Sequence, residues 1–266
     1  MSQILHLILY ADTRNKCLKT KQMLMKSIQA KCKLSVKIHS FDRNDIMNKP
    51  WFHIIKDIPK ITPTLSYYKS NRDPYWNNWK PFLVNDVLQL ASDNDLILWM
   101  DCSRYFVSEF EEPLDTLIVL ANEEKMIAGA FSFETLNKDF MYDQRVYTAM
   151  QADYQTIIKY AHICNSWFIF VKNDTNVRFI EDFVYYCSQK VDSFLLGILH
   201  ITSEQVVFNI LVHKYNFKCF YVPPGKTPNR PQGVKHKETK DRNLINNILN
   251  NSENPHQFLT HPTIIF

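Results

Sequence analysis

The 266-residue chain is long enough for one large domain with a substantial core, and its 45% hydrophobic and 22% charged residues are ordinary for a globular protein. Only four glycines occur, which excludes glycine-rich phosphate loops that need two or three glycines within a few residues. The modest formal charge of +4 argues against a nucleic-acid partner, and no apolar run is long enough to span a membrane.

The cysteines and the amino terminus indicate a reducing compartment. None of the six cysteines forms a CxxC pair, so neither a zinc site nor a disulfide framework is predicted. The first ten residues lack a long apolar segment followed by a small-residue cleavage site. We therefore expect a cytoplasmic protein.

The chain opens with a predicted strand, helix and strand. Ile4 to Tyr10 is an apolar strand that ends at Ala11 and Asp12, and an alternating strand ends at Phe41. Seven lysines between Lys16 and Lys37 surround the apolar stripe of the intervening helix. We interpret them as the solvated face of that helix and the next strand, with nucleic-acid binding as the alternative. Residues 43 to 78 are predicted to be an irregular, packed connection.

The most informative stretch runs from Trp79 to Ser103. Lys80 and Pro81 open a predicted helix, and Leu96 to Met100 is an unbroken apolar run, as a strand covered on both faces requires. This run ends at Asp101. Because open α/β sheets bind ligands at the carboxyl ends of their strands, Asp101 indicates a site, although an aspartate there also suits an ordinary turn.

Two further signals follow in the second half of the chain. Asn165 and Ser166 precede the apolar residues of a strand predicted from Cys164 to Lys172. Ser203 to Leu211 reads SEQVVFNIL, a helix whose first turn contains Glu204. An acid there is stabilised by the positive end of the helix, and the same residues also serve as a plain helix start.

These elements, in this order over residues 3 to 222, resemble the GT-A fold glycosyltransferases. The strand end at Asp101 matches the first position of that family's DxD-type motif, and Ser103 stands at the third. The resemblance implies one α/β, Rossmann-like domain over residues 1–266, with a mostly parallel central sheet flanked by helices. Within it, residues 1–103 would bind the nucleotide sugar, residues 104–225 would bind the acceptor and carry catalysis, and residues 226–266 would form a tail.

The resemblance also implies roles for individual residues. The end of the first strand would hold the base and ribose, the lysine would meet the diphosphate, and the Asn-Ser pair would lie beside the donor sugar. The expected donor-binding residues are Tyr10, Ala11, Asp12, Lys80, Asp101, Ser103, Asn165 and Ser166, and the expected catalytic residues are Glu204 and Gln205.

A divalent cation is the implied cofactor. Oxygen ligands suit Mn²⁺ or Mg²⁺, and the resemblance implies Asp101, Ser103 and a histidine from the C-terminal part, for which His236 and His261 are the candidates by position. The expected activity is a hexosyltransferase-type transfer of a sugar from a nucleotide-diphosphate donor to a hydroxyl of a glycan or protein. The alternative is a non-catalytic binding or interaction protein of the same fold, which Ser103 and Trp167, the latter where a glycine is frequent, favour.

Overall fold

The structure of the protein is a computed structural model. It describes residues 2–11, 15–56, 78–101, 113–130, 144–160, 162–188 and 203–221. The six strands are β1 (Ile4–Tyr10), β2 (Ser35–Phe41), β3 (Leu96–Met100), β4 (Met126–Ala130), β5 (Ile163–Val171) and β6 (Lys218–Tyr221). The longer helices are α1 (Asn15–Lys31), α4 (Lys80–Leu90), α5 (Pro113–Glu124), α8 (Asp174–Ser188) and α9 (Ser203–Lys214). The shorter helices are α2 (Arg43–Met47), α3 (Phe52–Lys56), α6 (Gln144–Ala149) and α7 (Tyr154–Ile157).

The strands form one mixed sheet in the order β2-β1-β3-β5-β4-β6. Strands β1, β2 and β3 run parallel, β4 and β6 are parallel to each other, and β5 lies antiparallel to both β3 and β4. The chain builds outward from β1 to β2 and then returns to place β3 on the other side of β1. The carboxyl ends of β1 and β3 therefore flank a point where the strand order reverses, which is where open α/β sheets bind ligands.

The predicted mixed α/β class and mostly parallel sheet are confirmed in this coarse form. β1 and β3 have the predicted bounds, and β3 is buried along its whole length, as its unbroken apolar run predicts. The antiparallel direction of β5 was not predicted, because an apolar run reads the same in either direction.

Helices cover both faces of the sheet. One core cluster lies between the sheet and α1 and α5, and includes Leu24, Leu114 and Trp167. The other lies beneath α4, α8 and α9 and includes Trp99 and Phe208. Residues 2–11 and the other described ranges contain no helix long and apolar enough to cross a membrane.

The predicted irregular connection begins with two short helices. Asp42 caps α2, accepting hydrogen bonds from the backbone N–H groups of Asn44 and Asp45, while the Asp45 carboxylate accepts one from the Asp42 N–H. This reciprocal capping box explains why an acidic residue follows β2, and no bound ligand is needed to explain it. Residues 57–77 lie outside the described part of the chain.

A line of polar side chains crosses β2, β1 and the start of β3. His6 Nδ1 lies 3.0 Å from His39 Nε2, and His6 Nε2 lies 3.4 Å from Asp95 Oδ2. Burial lowers the pKa of His6, partly offset by Asp95, while burial, with His6 and Lys37 nearby, lowers the pKa of His39 to about 4. Lys37 and Lys172 also disfavour the charged form of His6. Both imidazoles are therefore neutral in the folded protein at neutral pH. One of the two facing nitrogens carries the hydrogen and donates it to the other.

This pair predicts that the protein loses stability in mild acid. A histidine whose pKa is lower folded than unfolded stabilises the fold above its ordinary value of 6.5, and the stabilisation is lost as the pH falls towards about 4. We expect a loss on the order of 1–2 kcal/mol, since partial exposure of His39 screens the effect. Urea unfolding at several pH values checks this: His39→Gln should show a shallower decline, and His53→Gln, at an exposed histidine, should match the wild type. Equal declines in all three proteins would contradict it.

Candidate active site

Polar side chains from four elements meet at the carboxyl edge of the sheet. Asp101 directly follows β3, Asn165 lies near the start of antiparallel β5, and Lys80 and Glu204 lie in the first turns of α4 and α9. All four were predicted from sequence as site residues, and the structure brings them into one cluster. We call Lys80, Asp101, Asn165 and Glu204 the polar centre.

Lys80 is the cation of the polar centre and is only 3% exposed. Its Nζ donates to the backbone and side-chain oxygens of Asn165, both at 3.2 Å. It lies 3.6 Å from Glu204 Oε1 and 3.7 Å from Asp101 Oδ1, and 5.2 Å from the centre of the Trp99 ring. A buried ammonium requires such compensation, because the interior and the positive end of α4 both disfavour its charge. Lys80 is thus a lysine of the protein interior and does not face solvent.

Glu204 is the buried acid of the polar centre, with 1% of its surface exposed. Its Oε1 faces Lys80 and accepts a hydrogen bond of 3.4 Å from Asn165 Nδ2, whereas its Oε2 receives none from the described residues. Burial raises the pKa of Glu204, and the charge of Lys80 and the hydrogen bond from Asn165 oppose that rise. A carboxyl group with one unused oxygen and a raised pKa is suited to accept and release a proton during a reaction.

A bulge in β5 directs Asn165 towards the other residues of the polar centre. Ala128 of β4 pairs with Phe168, but the next residue, Gly129, pairs with Cys164, so residues 165–167 have no counterpart in the described β4 pairing. The register with β3 ends at Trp167. Asn165 and Ser166 are thus released from both neighbouring strands, and bulges of this kind redirect side chains next to functional sites. The side chain of Ser166 lies outside the described part of the structure.

Side-chain amides of α9 replace the missing strand partner. Gln205 accepts a hydrogen bond of 3.0 Å from the Asn165 N–H and donates to the Ile163 carbonyl, while Asn209 Oδ1 accepts from the Ile163 N–H at 2.9 Å. Both amides are buried. Gln205, predicted as catalytic, thus has its oxygen and its nitrogen engaged with backbone; Asn209 lies one helical turn further along the same face.

Asp101 is the most exposed member of the polar centre, with 38% of its side chain accessible. Its Oδ1 accepts a hydrogen bond of 3.1 Å from Trp99 Nε1, because residues two apart in a strand point to the same face. Trp99 was not predicted as a site residue, although this spacing is visible in the sequence. Asp101 is therefore the residue through which solvent reaches the polar centre.

The described residues alone do not fit a metal site. No group of three histidine, cysteine or acidic side chains suited to hold a metal occurs within the described ranges, and Asp101 supplies a single carboxylate. The other predicted ligands, Ser103 and His261, lie outside those ranges.

Aromatic rings lie at the end of β1. The ring of Tyr10 is 4.2 Å from that of Trp79, which in turn is 5.8 Å from Trp99. Ala11 is fully buried, and its N–H donates to the carbonyl of Phe41 at 3.1 Å. Asp12, the third residue predicted here, lies outside the described part of the chain. Tyr10 and Trp79 thus connect the end of β1 to the polar centre.

Comparisons with known proteins do not assign a family or a function to the chain. No family model matches the sequence, and no curated protein sequence matches it. Among solved structures, the apo form of mouse xyloside xylosyltransferase 1 is similar, with 8% sequence identity and a TM-score of 0.46 over 82% of this chain and 85% of that one. A likeness this distant carries no functional argument.

Proposed function

We propose that the chain is a GT-A-type glycosyltransferase that moves a sugar from a nucleotide-diphosphate donor to an acceptor hydroxyl. The observation that carries the proposal is the convergence of Lys80, Asp101, Asn165 and Glu204 where the strand order reverses. Ligands bind at such points in open α/β sheets, and a buried cation beside a buried acid suits transfer away from an anionic leaving group. The sequence resemblance supports the same class.

Each member of the polar centre has a role in the proposed reaction. The bond between the anomeric carbon and the diphosphate oxygen breaks, and the nucleoside diphosphate leaves with the bonding electrons next to the Lys80 ammonium. The acceptor oxygen forms the new bond to the anomeric carbon, and its proton passes to the Glu204 carboxylate. Asn165 orients Lys80 and Glu204, while the partly exposed Tyr10 ring, which packs on the buried Trp79, would contact the base.

The charge balance supports a divalent cation as part of the proposal. Lys80 carries one positive charge, and Asp101 and Glu204 together carry two negative charges when both are ionised. An anionic diphosphate would be repelled by that sum unless a proton or a further cation is added. We propose that Mn²⁺ or Mg²⁺ binds at Asp101, with Ser103 and His261 as the further candidate ligands.

The test is a thermal shift of the whole chain with UDP, GDP, dTDP and CMP, with and without Mn²⁺. A nucleotide at about 100 times its Kd stabilises the protein by roughly 2.7 kcal/mol, which is visible as a rise in Tm. We expect a shift with one nucleotide, and a smaller one for Asp101→Asn. No shift with any nucleotide would overturn the proposed donor class, and a shift independent of Mn²⁺ would overturn the cation.

Glu204→Gln should separate binding from turnover. The amide retains an oxygen for Asn165 but cannot take the acceptor's proton, so we expect turnover to fall about 10²- to 10⁴-fold. The nucleotide-induced shift should persist. Sugar transfer from the donor identified by the thermal shift is the measurement, with Glu181→Gln, at an exposed glutamate of α8, as the matched control. Unchanged turnover in Glu204→Gln would remove it from the reaction.

The non-catalytic alternative loses one of its two sequence arguments. Trp167 is only 2% exposed and packs in the cluster beneath α1 and α5. Lys80 and Glu204 lie on α4 and α9, which cover the other face of the sheet. The indole therefore does not occupy the space beside the polar centre. Nucleotide binding without any transfer or donor hydrolysis would favour this alternative.

A further inference from the structure

The positive charge of the protein is concentrated in its first βαβ unit. Residues 14–41 contain eight lysines and arginines and no aspartate or glutamate, whereas the rest of the chain contains 23 basic and 27 acidic residues. The net positive charge thus comes entirely from α1 and the two strand regions that flank it. Such asymmetry produces a local field that attracts anionic partners.

The outward face of α1 displays this charge. Leu24 and Ile28 face the core and are fully buried. The opposite face is exposed and consists of Leu18, Lys19, Gln22, Met23, Lys26, Gln29 and Ala30. Lys19, Met23 and Lys26 are separated by four and three residues, so they form one stripe about 10 Å long along the helix.

Most of these lysines are not neutralised by neighbouring acids. Lys33 pairs with Asp115 of α5 at 2.6 Å. Across the described ranges, Lys19, Lys21, Lys26 and Lys37 have no carboxylate within ion-pair distance. Lys37 is exposed on the edge strand β2 but lies on the other face of the sheet, because its neighbours Val36 and Ile38 pack against the cluster beneath α1. The surface therefore retains its attraction for an anionic partner.

Apolar side chains stand among the lysines. Leu18 is 39% exposed and Met23 is 40% exposed, both on the outward face of α1. Phosphate groups of a nucleic acid would gain nothing from these two side chains, whereas a bilayer interface takes cationic and apolar side chains of one helix together. The combination favours a lipid surface over a nucleic acid.

We infer that the outward face of α1 forms a peripheral docking surface for anionic lipid bilayers. The lysines meet the headgroups, and Leu18 and Met23 enter the interface beside them. Because α1 begins at Asn15, soon after Ala11 at the carboxyl edge of β1, docking holds that edge close to the membrane surface. This inference is independent of the proposed sugar transfer.

The test is flotation of the whole chain with phosphatidylcholine vesicles that contain or lack phosphatidylserine. We expect binding only to the phosphatidylserine vesicles, weakened by high salt. Lys19→Glu/Lys26→Glu should bind about tenfold more weakly or worse, since each lysine near such a surface contributes on the order of 1 kcal/mol. The matched control is Lys159→Glu/Arg178→Glu, which reverses two exposed charges on α8 and just after α7 and should bind like the wild type.

Three outcomes would overturn the inference. The first is no binding to phosphatidylserine vesicles, and the second is equal loss of binding in both charge-reversed proteins. The third is binding to single-stranded RNA that the Leu18→Gln/Met23→Gln variant retains, together with unchanged vesicle binding by that variant. Each result is independent of whether any nucleotide shifts the Tm.

Discussion

Lys80→Met is expected to destabilise the protein by about 3–5 kcal/mol, the usual effect of removing one partner from a buried ion pair. The change leaves Glu204 buried without its cation and leaves two oxygens of Asn165 without a donor. Burial already raises the pKa of Glu204, and loss of Lys80 removes an opposing influence. In Lys80→Met, a protonated Glu204 at low pH carries no charge that needs a partner. As the pH rises, this carboxyl group must either ionise without its cation or hold its proton, so the destabilisation should grow. Urea unfolding at several pH values measures both effects.

A double variant tests whether the buried charge is responsible. In Lys80→Met/Glu204→Gln no ionised acid remains at position 204, so we expect recovery of part of the lost stability and of its pH dependence. Lys172→Met is the matched control, because that partly buried ammonium donates to the Ala91 carbonyl at 2.8 Å without pairing with an acid in the described structure. If Lys80→Met cost no more than Lys172→Met, the ion-pair account would fail.

Gln205→Met is expected to loosen the start of β5. Methionine has a similar length but no amide, so the Asn165 N–H and the Ile163 carbonyl lose their partners inside the protein. Each buried group left unpaired costs about 1–3 kcal/mol. We expect faster hydrogen exchange at Asn165 than in the wild type, and a weaker nucleotide-induced shift because Asn165 no longer holds Lys80 and Glu204 in place.

Asn209→Leu distinguishes the role of the Asn209 amide from that of the Gln205 amide. It removes the acceptor for the Ile163 N–H but leaves Gln205 and its bond to Asn165. Exchange should therefore accelerate at Ile163 more than at Asn165, the reverse of the order in Gln205→Met. A global loss of stability with uniform exchange in both variants would contradict the separate roles of the two side chains.

The local elements were readable from the sequence where burial follows a simple pattern. β3 is an unbroken apolar run because helices cover both its faces, and α4 begins at Lys80 and Pro81 as proline at a first turn predicts. Asp42 follows strand β2 just as Asp101 follows β3, yet its side chain caps α2. Capping and ligand binding draw on the same acidic residues, so sequence position alone does not separate them.

The residues of the polar centre were identified from the sequence, but the contacts between them were not. Lys80, Asn165 and Glu204 were each identified, although they are up to 124 positions apart in the chain. Their contacts depend on the antiparallel direction of β5 and on its bulge, and neither leaves a periodic signal. Asp12, Ser103 and His261 stay predictions, because they lie outside the described residues.

The hydrogen bonds from α9 to β5 also bear on how the chain reaches its fold. Every residue from Glu204 to Val212 is buried, so the burial pattern alone does not distinguish the observed position of the helix from one displaced by a turn along the sheet. In such a misaligned chain at least one of the two amides would face hydrocarbon with nothing to bond. The amides therefore select a single alignment during folding, and a chain that lacks them should collapse into several competing packings before the native one.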